Sequence, residues 1–255
     1  DLMYRFEVTV YVTDITGESH EASKSIVLNQ QGYEVNIDLP ESISLIQLNK
    51  ISVTSTNTDG AGVKVSGDVE VSSIKGPSRN QRSRLWNSPD ILTIGASDYI
   101  SRFPNYPLPG LDNMSEWPVD RVLGKKALSV DNAGVVDLSS LITSPGYFKV
   151  DWTWKDKNGH ELKMTQYIMA YAHGQLLPGF EVSRVDFDNH PYEPGASPTF
   201  DLLSGISGGP KTIRVVERRT QPSQNTWVDV NASPGLPVRL TESDRGGVYV
   251  HHLTA

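Results

Sequence analysis

Tyr4-Arg5-Phe6-Glu7-Val8-Thr9-Val10-Tyr11-Val12-Thr13 alternates side-chain character at every step: Tyr4, Phe6, Val8, Val10 and Val12 form one series, and Arg5, Glu7, Thr9, Tyr11 and Thr13 the other. Period two is the mark of a half-buried strand, because successive side chains leave opposite faces of a pleated chain. Asp14-Ile15-Thr16-Gly17 follows with turn chemistry, and Ser19 to Leu28 runs back as a more polar second strand, so the segment reads as a hairpin.

The same hairpin recurs. Gly146-Tyr147-Phe148-Lys149-Val150 through Asp156-Lys157-Asn158-Gly159 aligns with Tyr4-Arg5-Phe6-Glu7-Val8 through Asp14-Ile15-Thr16-Gly17, setting Trp152 against Val10 and Trp154 against Val12. Further matches keep the same order: Tyr33-Glu34-Val35 with Phe180-Glu181-Val182, and Val63-Lys64-Val65 with Ile213-Arg214-Val215. In the same way Asp137-Leu138 before Pro145-Gly146-Tyr147 matches Arg239-Leu240 before Gly246-Gly247-Val248. An ordered internal repeat means one supersecondary unit used several times.

Between these anchors lie strand candidates at Tyr33–Leu39, Ile43–Thr54, Val63–Ile74, Val135–Leu141, Glu161–Tyr171, Phe180–Phe187, Thr199–Leu203, Thr212–Arg218, Thr226–Val230, Val238–Leu240 and Val248–Leu253. No stretch of 11 residues has helical periodicity; Ser97–Phe103 and Leu138–Ile142 have room for about one helical turn each. Many short strands separated by Gly and Pro turns predict an all-β chain of tandem immunoglobulin- or fibronectin-III-like sandwiches. The repeat phase places a terminal hairpin of a preceding domain at 1–30, a complete sandwich at 31–172, and a further sandwich at 173–255 that stops before its last strand. The complete unit carries an insertion at 77–126 with Trp86, Phe103, Tyr106 and Trp117, expected to lie folded against a neighbouring surface.

Composition narrows the function classes. The 255 residues hold 30 acids and 23 bases, for a formal charge of −7, with no basic stripe, so nucleic acid is not an expected partner. Zero cysteines exclude disulfides, thiolate metal sites and cysteine nucleophiles from this segment. The start lacks a signal-peptide layout and no apolar run reaches membrane-spanning length, and the chain reads as a piece of a longer protein.

Candidate chemistry reads as structure. His20-Glu21 and His160-Glu161 open like a zinc-protease motif, but Lys24 and Met164 stand where the second histidine belongs, and both sites adjoin hairpin turns. Gly205-Ile206-Ser207-Gly208-Gly209 fits the nucleophile-elbow pattern, yet Pro210 and a β-type run follow where a helix is required. Asp186, Asp188 and Asn189 supply too few oxygens for calcium. Arg79, Arg82 and Arg84 read as a polar loop, and Asn113-Met114-Ser115 and Asn231-Ala232-Ser233 as chance glycosylation matches. No catalytic, cofactor-binding or metal-binding residue is nominated, and no cofactor is expected. Trp152 and Trp154 share a strand face and read as core, with a sugar platform as the second reading; Val10 and Val12 are expected to point inward likewise, with Arg5, Thr9, Lys149 and Thr153 outward.

The aromatic-led strand and Val-Thr-Asp-x-x-Gly turn at Tyr4–Leu28 resemble the macroglobulin domains of bacterial alpha-2-macroglobulin-like proteins. So do Arg84-Leu85-Trp86-Asn87-Ser88-Pro89-Asp90, Phe103-Pro104, Trp117, Asp137-Leu138-Ser139-Ser140-Leu141 and Tyr192-Glu193-Pro194-Gly195. The resemblance implies a non-catalytic scaffold segment of a large extracytoplasmic protein, whose complete form meets proteases and entraps or inhibits them. The chain has neither the family's thioester cysteine nor a recognisable bait stretch. Spacer or glycan-binding domains of a surface adhesin or carbohydrate-handling protein are the second reading. Expected partners are neighbouring domains of the same chain. Self-association through open sheet edges is the further expectation, the terminal hairpin either docking on the adjacent unit or adding to another copy.

Overall fold

The computed structural model describes residues 3–29, 32–76, 93–108, 113–179, 183–187, 190–205, 212–218, 226–229 and 237–254. Three of its turns are built alike. At Asp14, Asn57 and Asp156, one side-chain oxygen accepts the backbone N–H groups two and four residues on, at 2.8–3.0 Å. The glycine three positions later, Gly17, Gly60 or Gly159, has φ of 87°, 80° or 85°. That left-handed conformation is cheap only for glycine, so Asp/Asn-x-x-Gly specifies the turn locally. Agreement between Asp14–Gly17 and Asp156–Gly159 extends to the backbone: Asp14 N to Glu18 O is 2.9 Å, and Asp156 N to His160 O is 3.2 Å. The repeated hairpin is thus the same object twice.

The first copy consists of β1 (Met3–Thr13) and β2 (Ser19–Asn29), paired antiparallel from Met3↔Asn29 to Thr13↔Ser19. Then follow β3 (Tyr33–Asp38), β4 (Ser42–Ser44), β5 (Ile51–Asn57), β6 (Lys64–Ile74), a helix α1 (Ala96–Arg102), β7 (Val119–Asp131), β8 (Ala133–Val136), β9 (Gly146–Lys155) and β10 (Glu161–Tyr171). The last part of the chain holds β11 (Ser183–Asp186), β12 (Asp201–Ser204), β13 (Thr212–Arg218), β14 (Thr226–Asp229) and β15 (Val248–Thr254). Pairing groups them as β1-β2, an eight-stranded sheet β3-β5-β8-β7-β6-β9-β10-β4, then β11-β12 and β14-β13-β15. The all-β sandwich class expected from the strand pattern is therefore what the chain adopts.

The eight-stranded sheet cannot be flat. Its two edges are β3 and β4, consecutive in the chain and separated only by Leu39, Pro40 and Glu41. A flat sheet of eight strands would set its edges roughly 34 Å apart, whereas the step from Asp38 to Ser42 spans at most about 14 Å. The sheet must curl until its edges approach, and the enclosed face is the core. Tyr33, Ile51, Val53, Val65, Val69, Val71, Val150, Trp152, Trp154 and Ile168 lie there, each at most 2% exposed.

Two compact units result: Asp1–Ser72 with Arg121–Thr143 and Lys149–Ile168, and Ser73–Asp120 with Ser144–Phe148 and Met169–Ala255.

Several boundaries differ from the sequence reading. Ile43–Thr54 is two strands, because Leu45–Gln47 makes a single 3-10 turn that buries Leu48 completely and turns Ile46 outward. The end of the expected insertion, Val119–Lys126, belongs to β7 in the middle of the sheet; Gly124, Lys125 and Lys126 had masked its alternation. Val238–Leu240 is extended and bonds Pro198 and Ala196 without forming a strand. Within the insertion, Ser97–Phe103 is met by α1, and Trp117 is 6% exposed, packed edge-on against Tyr147 with ring centroids 4.8 Å apart. Residues 77–92, Trp86 among them, lie outside the described residues.

Val10 and Val12 are a correction. Trp152 and Trp154 are 1% and 0% exposed as expected, but Val10 and Val12 are 51% and 59% exposed, and every side chain from Phe6 to Ser25 faces solvent. The pleat alternates as the pattern requires, yet no described residue covers the apolar face of β1-β2. On β9 the alternation holds, with Lys149 and Thr153 half-buried on the opposite face; the Arg5 side chain lies outside the described residues.

Candidate functional site

Among the described residues, His160, Asn113 and Trp152 are engaged in turn and strand geometry. His160 Nδ1 lies 3.1 Å from Asp156 Oδ2, and the Tyr33 hydroxyl sits 2.9 Å from the His160 carbonyl and 3.1 Å from that of Trp154, pinning the β9–β10 turn. Asn113, the glycosylation-type asparagine, accepts from Ser115 N at 3.1 Å and Ser115 Oγ at 2.8 Å. Trp152 and Trp154 stack in the core at 6.0 Å, and Trp152 Nε1 donates to Gln166 Oε1 at 2.9 Å, so neither indole offers a face to a ligand. Ser207, Asp188, Asn189, Asn231, Arg79, Arg82 and Arg84 lie outside the described residues. Asp14, Glu18 and His20 come together at the first turn, all exposed, with Asp14 Oδ1 already accepting three hydrogen bonds.

The sequence reading missed a polar constellation in the second unit. Arg214 on β13 is 2% exposed, stacks over Phe200 at 5.3 Å and donates to the Phe200 carbonyl at 2.7 Å. Its Nε also donates to His252 Nε2 at 3.0 Å, which requires a lone pair there and therefore a neutral imidazole. Phe200 and His252 line a cleft of about 690 Å³ together with Phe187, Tyr192, Val238 and Leu240. At its rim Asp244 caps a 3-10 turn, accepting Thr241 N at 2.8 Å and Thr241 Oγ1 at 2.9 Å, with Arg218 Nε 3.5 Å from its other oxygen. A cleft of aromatic and aliphatic walls can hold apolar matter or sugar faces, and an arginine-bound neutral histidine anchors its floor.

Burial first, and then the Arg214 charge, hold His252 below the ordinary imidazole range. As pH falls, the unfolded chain takes this proton first, so the stability tied to neutral His252 is whole above about pH 6.5 and lost below it. Melting the protein at about pH 7.5 and about pH 5 should show that His252→Gln, whose amide oxygen still accepts from Arg214, narrows the gap between the two midpoints. An unchanged gap would assign the acid sensitivity elsewhere.

A second feature is the outer face of β14-β13-β15. Trp227 stands opposite Val215, which stands opposite His251. Trp227, Tyr249, Ile213 and Leu253 are 66%, 49%, 43% and 52% exposed, while Val215 between them is 9% exposed. His251 Nε2 and Glu217 Oε2, 3.3 Å apart, add a polar pair to this apolar face. Alternation within β13 and β15 was legible, but the exposure of Trp227 was not.

No protein-family model matches the chain, and no curated protein matches it. Among solved structures, the chain is similar to a tetra-tandem repeat in the extending region of a large adhesion protein, at 12% identity and TM-score 0.22, covering 100% of this chain and 48% of that one. It is similar to Salmonella alpha-2-macroglobulin reacted with methylamine, at 13% identity and TM-score 0.26, covering 97% of this chain and 15% of that one. It is also similar to a Ca²⁺-stabilised adhesin with which an Antarctic bacterium binds ice, at 12% identity and TM-score 0.18, covering 98% and 55%. The chain thus spans about half or less of each of these three chains.

Proposed function

We propose that this chain is a non-catalytic scaffold segment of a larger extracytoplasmic protein of alpha-2-macroglobulin-like type, whose complete form entraps or inhibits proteases. The observation that carries the reading is the use of reactive-type side chains as structure: Asp14, Asn57 and Asp156 make three equivalent turns, and Trp152 with Trp154 fills a core. Repeated hairpins with aspartate turns and buried aromatic faces suit units that hold position in a frame. The test mixes the complete protein with endopeptidases and follows cleavage of a large protein and of a short peptide. Entrapment blocks the first and spares the second. Equal cleavage of both, with and without the protein, would sink the inhibitor reading.

The exposed Trp227 and Tyr249 favour a second reading, a spacer that binds glycans through the β14-β13-β15 face. Polysaccharides titrated against the protein should then change tryptophan emission, and Trp227→Ala should abolish retention. No saccharide response at all would leave the scaffold reading in possession of that face.

Self-association is proposed for the protein as it stands, because Phe6, Val8, Val10 and Val12 are about half exposed on one face of β1-β2. Sedimentation should show larger species at high concentration, lost in a version starting at Gln31. Monomers in both would show that the bare hairpin face recruits nothing.

A further inference from the structure

The cleft of about 690 Å³ in the second unit has the size of a small-molecule site, and its lining is of two kinds. One kind is aromatic. Phe187 is 45% exposed, yet Phe200 braces it with a ring 5.3 Å away and tilted by 31°, and His190 braces Tyr192 at 4.1 Å. An exposed ring held at a fixed angle is a flat apolar platform, and little freedom is lost when a ligand settles on it.

The other kind is polar, and its charges are matched from within. Arg245 donates to Glu242 through Nε at 2.6 Å and through a terminal nitrogen at 3.3 Å, while Asp244 accepts from Thr241 N and Oγ1. His252 gives its Nε2 lone pair to Arg214 Nε at 3.0 Å, so the ring proton sits on Nδ1. Among the described residues, neither that Nδ1–H nor the Glu193 carboxylate has a hydrogen-bond partner, and Glu193 acts on Arg245 only at a distance. The guanidinium behind the imidazole strengthens its N–H as a donor. A ligand suited to such walls is uncharged, has an apolar face, and both accepts and donates hydrogen bonds. A lipid chain lacks the polar half, and an anion finds the lining cation already paired.

We infer that this cleft is a saccharide-binding site, in which a pyranose ring rests its C–H face on Phe187, accepts from His252 Nδ1 through one hydroxyl and donates to Glu193 through another.

The site lies across β13 from Trp227. Alternation turns Arg214 and its cross-strand partner His252 to one face, and Val215, opposite Trp227, to the other. The cleft is therefore separate from the outer face on which the glycan reading of Trp227 rests, and it is tested separately.

The experiment is nuclear magnetic resonance on the whole chain with labelled histidine and phenylalanine, titrated with trisaccharides of glucose, galactose and N-acetylglucosamine, and with anilinonaphthalene sulfonate as an apolar probe. At least one saccharide should shift the His252 Nδ1 and Phe187 ring signals saturably, and Trp227→Ala should leave that response intact. Phe187→Ala should weaken binding about three- to tenfold, the size of one lost stacking contact. His252→Leu should weaken it about tenfold or more, while His252→Gln, which still accepts from Arg214 and offers an N–H, should stay within about threefold of native. If no saccharide moves these signals, or only the apolar probe does, the assignment is wrong. Binding that survives both Phe187→Ala and His252→Leu, or that is lost in Trp227→Ala, would also overturn it by placing the sugar elsewhere. Phe187 is exposed, so its variant decides the matter even where His252→Leu folds poorly.

Discussion

Gly67→Ala is expected to be the most damaging addition of a single methyl group in the eight-stranded sheet. A Cβ at Gly67 would run into the Thr153 carbonyl oxygen, with the carbonyl carbon 2.8 Å and the Trp154 Cα 3.0 Å away. These are backbone atoms of β9, the neighbour of β6, so no rotamer change relieves the clash; the two strands must part. Overpacking a well-filled core costs about 1–3 kcal/mol when side chains can yield, and a backbone obstacle puts this site at about 3 kcal/mol or more. Gly17→Ala is the control: its Cβ meets nothing within 4 Å, so only the left-handed φ of 87° is strained, at about 1–2 kcal/mol. Urea unfolding should rank the two in that order. Equal losses would mean that β6 and β9 can separate at little cost.

Trp152→Ala should cost about 3–5 kcal/mol, the usual range for emptying an aromatic site in a core. Three contributions disappear together: indole burial at 1% exposure, stacking on Trp154 at 6.0 Å, and the Nε1 bond to Gln166. Trp152→Phe should recover much of the first two while leaving Gln166 Oε1 without its donor. A loss below roughly 1 kcal/mol for the Ala variant, well under the core range, would mean that the indole is accessible and would reopen the sugar-platform reading of β9.

At high pH two buried tyrosines make a further demand. Burial first, then Asp156, raise the Tyr33 hydroxyl above its ordinary value, and burial with Asp186 does the same at Tyr171. The unfolded chain loses these protons first, so stability is intact below about pH 10 and falls as pH rises past it. Tyr33→Phe should flatten that decline while weakening the β9–β10 turn that the hydroxyl pins.

What the amino-acid order determined by itself is local. Asp14-x-x-Gly17, Asn57-x-x-Gly60 and Asp156-x-x-Gly159 are turns because a short side chain reaches amides two and four residues on and a glycine takes the left-handed conformation. Alternation at Tyr4–Thr13 and Tyr147–Trp154 made strands for the same near-neighbour reason, and the ordered repeat followed from the two together. The tertiary structure decided everything that depends on distant partners. Val10 and Trp152 occupy matching positions in matching hairpins, yet one is half exposed and the other buried, because burial belongs to whatever lies across the face and not to the strand. β7 became an inner strand only by pairing within the sheet, whose neighbours compensated for a segment with weak alternation of its own. Phe200, Arg214 and His252 are scattered along the chain, and only the β13–β15 register, with Phe200 beside it, sets a buried arginine against one imidazole.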